Sequence, residues 1–170
     1  PDTLLPIAMV DALQRYVDTQ YVTDPDSPIE SVIPYFEVGE SDETIPLDGG
    51  TRFDVVGLDS EGHIRLIGEA ERHNNDAATA ALSDYDAIAT VEPDHALWVV
   101  ASSSAGHDAV LSPLADPVDG SPRIDGYSER TRIPSISGID EPGMTGIFTL
   151  NELRKELEAM SPGESGVTTP

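Results

Sequence analysis

The chain has no cysteine, which excludes disulfides, zinc–thiolate sites and thiol nucleophiles. Lysine is almost as scarce, with Lys155 the single one, and nine Lys and Arg stand against 32 Asp and Glu for a net charge of −23. That balance ordinarily disfavours binding a polyanion, although at molar salt the long-range penalty is largely screened. No apolar run approaches the ~18 residues of a membrane-spanning helix. No secretory signal is legible either, and the expected location is the cytoplasm. Histidine is also sparse. His63, His73, His95 and His107 show neither HxH nor HExxH spacing, so a histidine metal motif is absent and each reads as a surface or turn residue.

What is present is enough for a folded domain. A hydrophobic content of 38% over 170 residues supports a core of ordinary size and argues against an acidic disordered chain. Few lysines beside abundant Asp, Ala and Thr resembles proteins of salt-accumulating halophiles. At about 1 M salt the Debye length is near 3 Å, and surface carboxylates repel one another little. The start Pro1-Asp2-Thr3 and the tail from Ser161 to Pro170 read as the ends of a piece of a longer protein. There is no internal repeat. The divisions expected are a core over 1–114, an extended loop region packed on it over 115–144, a terminal strand and helix over 145–160, and a disordered tail over 161–170.

Helical spacing of Leu5, Met9, Leu13, Tyr16 and Val17 predicts a first helix over 3–22, capped by Asp2 or Thr3. A turn-rich break follows at 23–28. Ile29 to Val38 reads as a strand, and Pro34 places it at a sheet edge. Residues 39–50 read as loop. Asn74 to Thr90 is a second helix with Ala78, Ala81, Leu82, Tyr85 and Ile88 inward and Asn75 or Asp76 as cap. Ala96 to Val100 reads as a strand buried on both faces, which makes Trp98 a core residue. Ser102 to Ser104 would cap a short helix through Leu111 that stops near Pro113. Thr145 to Thr149 is a last strand, and Thr149-Leu150-Asn151-Glu152 is a capping box opening a helix to about Met160.

The chemistry concentrates in a hairpin. Arg52-Phe53-Asp54-Val55-Val56-Gly57 and Ile64-Arg65-Leu66-Ile67-Gly68-Glu69-Ala70-Glu71 alternate as two strands. Glu69 and Glu71, two apart, point the same way. The apolar faces match if Asp59 to Gly62 form a four-residue loop with Leu58 opposite His63. Asp54 then lies across from Ile67 and diagonal to Glu69, on the face of both glutamates; a three-residue loop would flip it to the other face. Three converging carboxylates are what a hard divalent cation needs. Acid-x-acid patterns are common in this chain, Asp84/Asp86 among them. Only the set around Asp54 sits in a strand pair ahead of a helix.

The order helix, three strands, helix, strand, helix, with Asp54 on one strand and Glu69-Ala70-Glu71 on its partner, resembles the PD-(D/E)xK nuclease superfamily over about residues 3–112. The resemblance implies a restriction-endonuclease-like α/β fold, α-β-β-β-α-β-α, around a mixed central sheet. It also implies Mg²⁺ or Mn²⁺ held by Asp54, Glu69 and the Ala70 carbonyl, with Asp54, Glu69 and Glu71 catalysing phosphodiester hydrolysis. Glu71 stands where the family usually carries lysine, and would position or deprotonate water or hold a second metal. Arg52 or Arg72 would supply compensating positive charge. Ala81 occupies the place of a glutamine that many members carry one turn ahead of a tyrosine, here Tyr85.

The expected partner is DNA, with a homodimer or a longer parent protein as further associations and no membrane. The alternative is a non-catalytic module of the same fold within a larger DNA-processing or conjugation ATPase-type protein. A plain acidic α/β binding domain with surface acids is the third reading, and a fold in which Asp54 and Glu69 do not converge would remove both nuclease readings. His73 lies next to the acids. Arg123, Arg130 and Arg132 are the local concentration of positive charge, suited to a nucleic-acid backbone or to pairing with the chain's own acids. Ser102-Ser103-Ser104-Ala105-Gly106 lacks the Walker pattern and the Gly-x-Ser-x-Gly elbow, and reads as helix capping.

Overall fold

The computed structural model describes residues 4–39, 47, 49–71, 77–102, 110–118, 120, 122 and 144–160. The first helix, α1 (Leu4–Val17), buries Met9, Leu13 and Val17, as their spacing predicts. It passes directly into a π-helical turn, Asp18–Val22. The break that follows is held by the Asp24 carboxylate, which accepts the Asp26 N–H at 2.9 Å. Then come β1 (Ser31–Glu37), β2 (Arg52–Leu58), β3 (Ile64–Glu71), α2 (Ala77–Val91), β4 (His95–Val100), α3 (Ser112–Ala115), β5 (Met144–Thr149) and α4 (Leu150–Ala159). Most of the loops predicted at 39–50 and 115–144, and the caps proposed at Asp2, Thr3, Asn75 and Asp76, lie outside the described residues.

The five strands form one mixed sheet in the order β1-β2-β3-β4-β5. β1, β2 and β3 are antiparallel; β3, β4 and β5 are parallel. Pro34 sits in the edge strand, where a missing N–H costs no ladder bond. Both faces of the sheet are covered, giving a mixed α/β sandwich. On one face α1 and α4 bury Met9, Leu13 and Leu153 against Val55, Leu66, Leu97 and Val99. On the other, α2 and α3 bury Leu82, Tyr85, Ile88 and Leu114 against Val56, Ile67, Trp98 and Val100. β4 is buried along nearly its whole length, as expected of a central parallel strand. No helix among the described residues is long and apolar enough to cross a membrane.

Three local features depart from the sequence-based expectations. The hairpin closes on a three-residue loop: the Asp59 N–H donates to the His63 carbonyl at 3.0 Å, with Gly62 in the left-handed region at φ +83°. Leu58 pairs with Ile64 rather than His63, and the register shifts beside Gly57, so that Arg65 is an extra residue on β3. This bulge reverses the flip a three-residue loop would impose. With Val55 opposite Gly68, the register puts Asp54 opposite Glu69, two residues from the expected pairing with Ile67 and on the same face.

Second, α3 contains Pro113 in its first turn. There the missing N–H is tolerated, and helical backbone runs from Val110 and Leu111 through Pro113 to Ala115, a few residues past the expected stop; residues 103–109 lie outside the described residues. Third, Tyr35 adopts φ +53° within β1. Val32 joins the α1-side core and Phe36 the α2-side core, although residues four apart on a regular strand share a face. Phe53 and Val55 divide between the two cores in the same way. Tyr35 and Asp54, opposite one another in the β1–β2 register, thus stand where the ribbon changes face.

Candidate metal centre

Four carboxyls converge at the C-terminal end of β3. β2 supplies Asp54, β3 supplies Glu69 and Glu71, and α2 supplies Asp84. Alternation sends both glutamates toward α2, since Ile67 precedes them on that face. Glu69 and Glu71 are 4% and 5% exposed, the two buried charged side chains of the core. Close approach of α1 behind them is permitted by Gly68, where a Cβ would meet Leu13 at 2.6 Å.

The acids fall into two pairs. Glu69 is within hydrogen-bonding reach of Asp54, and Glu71 of Asp84. Burial pushes Glu69 well above the carboxylate range, with the charges of Asp84 and Asp54 adding to it. Burial, the hydrogen bond to Asp84 and the Asp84 charge push Glu71 up to about 10. Asp84 is itself raised by burial, with the Glu71 hydrogen bond opposing. Of the Glu71–Asp84 pair, Glu71 is the one raised far enough to hold the shared proton near neutral pH. Asp54 is fixed by a further bond: its Oδ2 accepts the Ala70 N–H at 2.8 Å. The Trp98 indole N–H lies near enough to Glu71 to favour its ionised form, without closing a hydrogen bond.

Glu69 Oε1 and Glu71 Oε1 are buried with no hydrogen-bond partner among the described residues. Orphaned oxygens of this kind are costly unless a cation or donor meets them. No described lysine or arginine does so: Arg52 turns outward to Glu37 at 2.9 Å, and Arg65 pairs with Asp94 at 3.3 Å at the other end of β3. The donor set is all oxygen and no described lysine or arginine meets it, which is the chemistry a hard divalent cation takes, although its acids do not bring three ligand atoms within 4.8 Å of one another. A cleft of about 240 Å³ lined by Pro6, Ile7, Val10, Tyr35, Asp54, Ala70 and Glu71 reaches the Asp54 edge of the cluster.

The structure thus brings Asp54, Glu69, Ala70 and Glu71 to one place, so the non-convergence that would have removed the nuclease readings is not met. It adds Asp84, which sequence reasoning treated as one of many acid-x-acid patterns. The signal was available: Asp84 lies three residues after Ala81 and four before Ile88, on the inward stripe of α2. Arg72 and His73, and Arg123, Arg130 and Arg132, lie outside the described residues.

A tighter group of ligand atoms exists elsewhere. Asp59, Glu61 and His63 at the hairpin tip bring three within 4.8 Å of one another, the one such group among the described residues. Its Asp59 carboxylate already accepts the N–H groups of Glu61 and His63, each at 2.9 Å. Those bonds and the neighbouring cations hold it below the usual carboxylate range, which suits a turn-closing residue. The group could take a metal, but its acid already serves the loop. No family model, curated protein or solved structure matches the chain.

Proposed function

We propose that this chain is a nuclease-type domain of the PD-(D/E)xK kind, hydrolysing phosphodiester bonds in DNA with a divalent cation, Mg²⁺ or Mn²⁺. The observation that carries the reading is the buried convergence of Asp54, Glu69, Glu71 and Asp84 around orphaned glutamate oxygens. The order α-β-β-β-α-β, with the acids on adjacent antiparallel strands, supports it further.

Asp54, oriented by the Ala70 N–H, and Glu69 are the metal-holding residues, with the Ala70 carbonyl as a further ligand. A cation there would polarise the scissile phosphate and lower the pKa of an attacking water. Glu71 replaces the lysine of the family, and Asp84 restores a function to that position. Together they form a proton-sharing pair beside the ligands, able to accept the proton that the water gives up. The cleft along α1 and β1 leads substrate to Asp54.

One observation favours a non-catalytic module of the same fold: no described basic side chain reaches the cluster to stabilise the pentacovalent charge. Cleavage separates the two. Plasmid, single-stranded and branched DNA incubated with Mn²⁺ or Mg²⁺ in about 2 M KCl, where surface repulsion is screened, should be cut by the chain and not by Asp54→Ala. Intact DNA, with folded protein and metal bound, would assign the chain to the non-catalytic class.

A further inference from the structure

We infer that Tyr35 is a nucleobase-stacking platform beside the acid cluster, and that the substrate therefore presents an unpaired nucleotide, as single strands, flaps and frayed ends do. This rests on the nucleic-acid reading above.

Tyr35 is the one aromatic among the described residues held in the left-handed region, at φ +53°, and its side chain is 60% exposed. A bulky residue in that conformation is a backbone outlier. Elsewhere among the described residues such positions hold Gly50, Gly62 and Gly120, and Glu92 at φ +55° just after α2. If the face change of β1 were all that was needed, glycine would give it at lower cost. The ring is kept despite the strain, and strain of this kind concentrates at binding sites.

Its location says what the ring can meet. Tyr35 is opposite Asp54 in register and lines two clefts that both contain Asp54. One, of about 240 Å³, runs to Glu71 along Pro6 and Ile7; Ile7 is itself 56% exposed. The other, of about 440 Å³, runs to Arg52 and Glu37. A polynucleotide following this path passes one phosphate near Arg52, stacks a base on Tyr35 against an apolar wall, and presents the next phosphate to Asp54. Stacking tolerates any base and needs an exposed π-face, and salt screens the phosphate contacts rather than the stack. That suits a strongly acidic protein, whose phosphate contacts are few.

The test uses a short single-stranded oligonucleotide bearing a fluorescent purine analogue, and a blunt duplex of the same sequence, with Ca²⁺ in place of Mg²⁺ to slow hydrolysis. Tyr35→Ala and Tyr35→Gly should each weaken single-strand binding about 5- to 150-fold, at a ratio independent of KCl, and leave the duplex unchanged. Tyr35→Phe should retain wild-type affinity and quenching of the analogue. Tyr35→Gly should melt above Tyr35→Ala, because only alanine keeps the strained Cβ. Arg52→Gln should instead reduce the slope of affinity against salt.

Wild-type affinity in Tyr35→Ala, from a chain that does bind and cut DNA, overturns the platform and leaves the nuclease reading intact. A wild-type chain that binds no oligonucleotide overturns both. Equal loss in Tyr35→Phe, or in the duplex, overturns the stacking role.

Discussion

Glu71 is a carboxyl buried against Asp84 and Trp98, and its acidity has a sign that can be worked out. Its folded pKa, about 10, lies above the ordinary 4.5. Between those values the unfolded chain has lost a proton that the folded chain keeps. Stability from this group is therefore fully present below about 4.5 and is lost as pH rises toward 10, by about 1.4 kcal/mol per pH unit. Urea unfolding of the metal-free protein across pH 5 to 9 should show stability falling. Glu71→Gln, which keeps the shape and removes the titration, should flatten the slope by about one proton. A slope identical to wild type would mean that Glu71 is ionised in the fold. The two glutamates were legible in the sequence through strand alternation beside Asp54. Their pairing with Asp84 was not, because an acid on a helix stripe identifies itself only when the neighbouring strand supplies its partner.

At the scale of elements, α1 reaches the site because Gly68 leaves room for Leu13. Gly68→Ala forces the fully buried Leu13 aside and should cost about 1–3 kcal/mol by overpacking, visible in urea midpoints; unchanged stability would show that α1 is free to shift. The cap of α4 is separable from the site. The Glu152 N–H donates to Thr149 Oγ1 at 3.0 Å and the Thr149 N–H to Glu152 Oε1 at 2.9 Å. Thr149→Ala should cost about 1 kcal/mol and leave metal binding alone. Elements of this kind, with local signals such as helical spacing and the capping box, were readable from the sequence to within a few residues. The hairpin register was readable only in its parity, since a shorter loop and the bulge at Arg65 compensated each other. The face change at Tyr35 had no local signal, because the packing of Val32 and Phe36 against opposite cores imposes it.

The molecule as a whole carries a net charge of −23, and self-repulsion should loosen it in dilute buffer. Its melting temperature should rise between about 0.1 and 2 M KCl as the Debye length shortens, and equal melting at both would contradict the charge argument. The same abundance of acid makes weak metal binding uninformative here, because surface carboxylates collect cations without any site. Proton release distinguishes the buried centre from that background. Burial raises both glutamates, Glu71 to about 10, so a cation bound there would displace protons, whereas ionised surface acids have none to give. The decisive measurement is calorimetric titration of Mn²⁺ into the protein near pH 7 in two buffers of different ionisation enthalpy, for wild type and Asp54→Asn. Saturable binding with release of about one or more protons, lost in Asp54→Asn, is the predicted result. Binding that releases no proton and is the same in both proteins would contradict a metal centre at Asp54, Glu69 and Glu71.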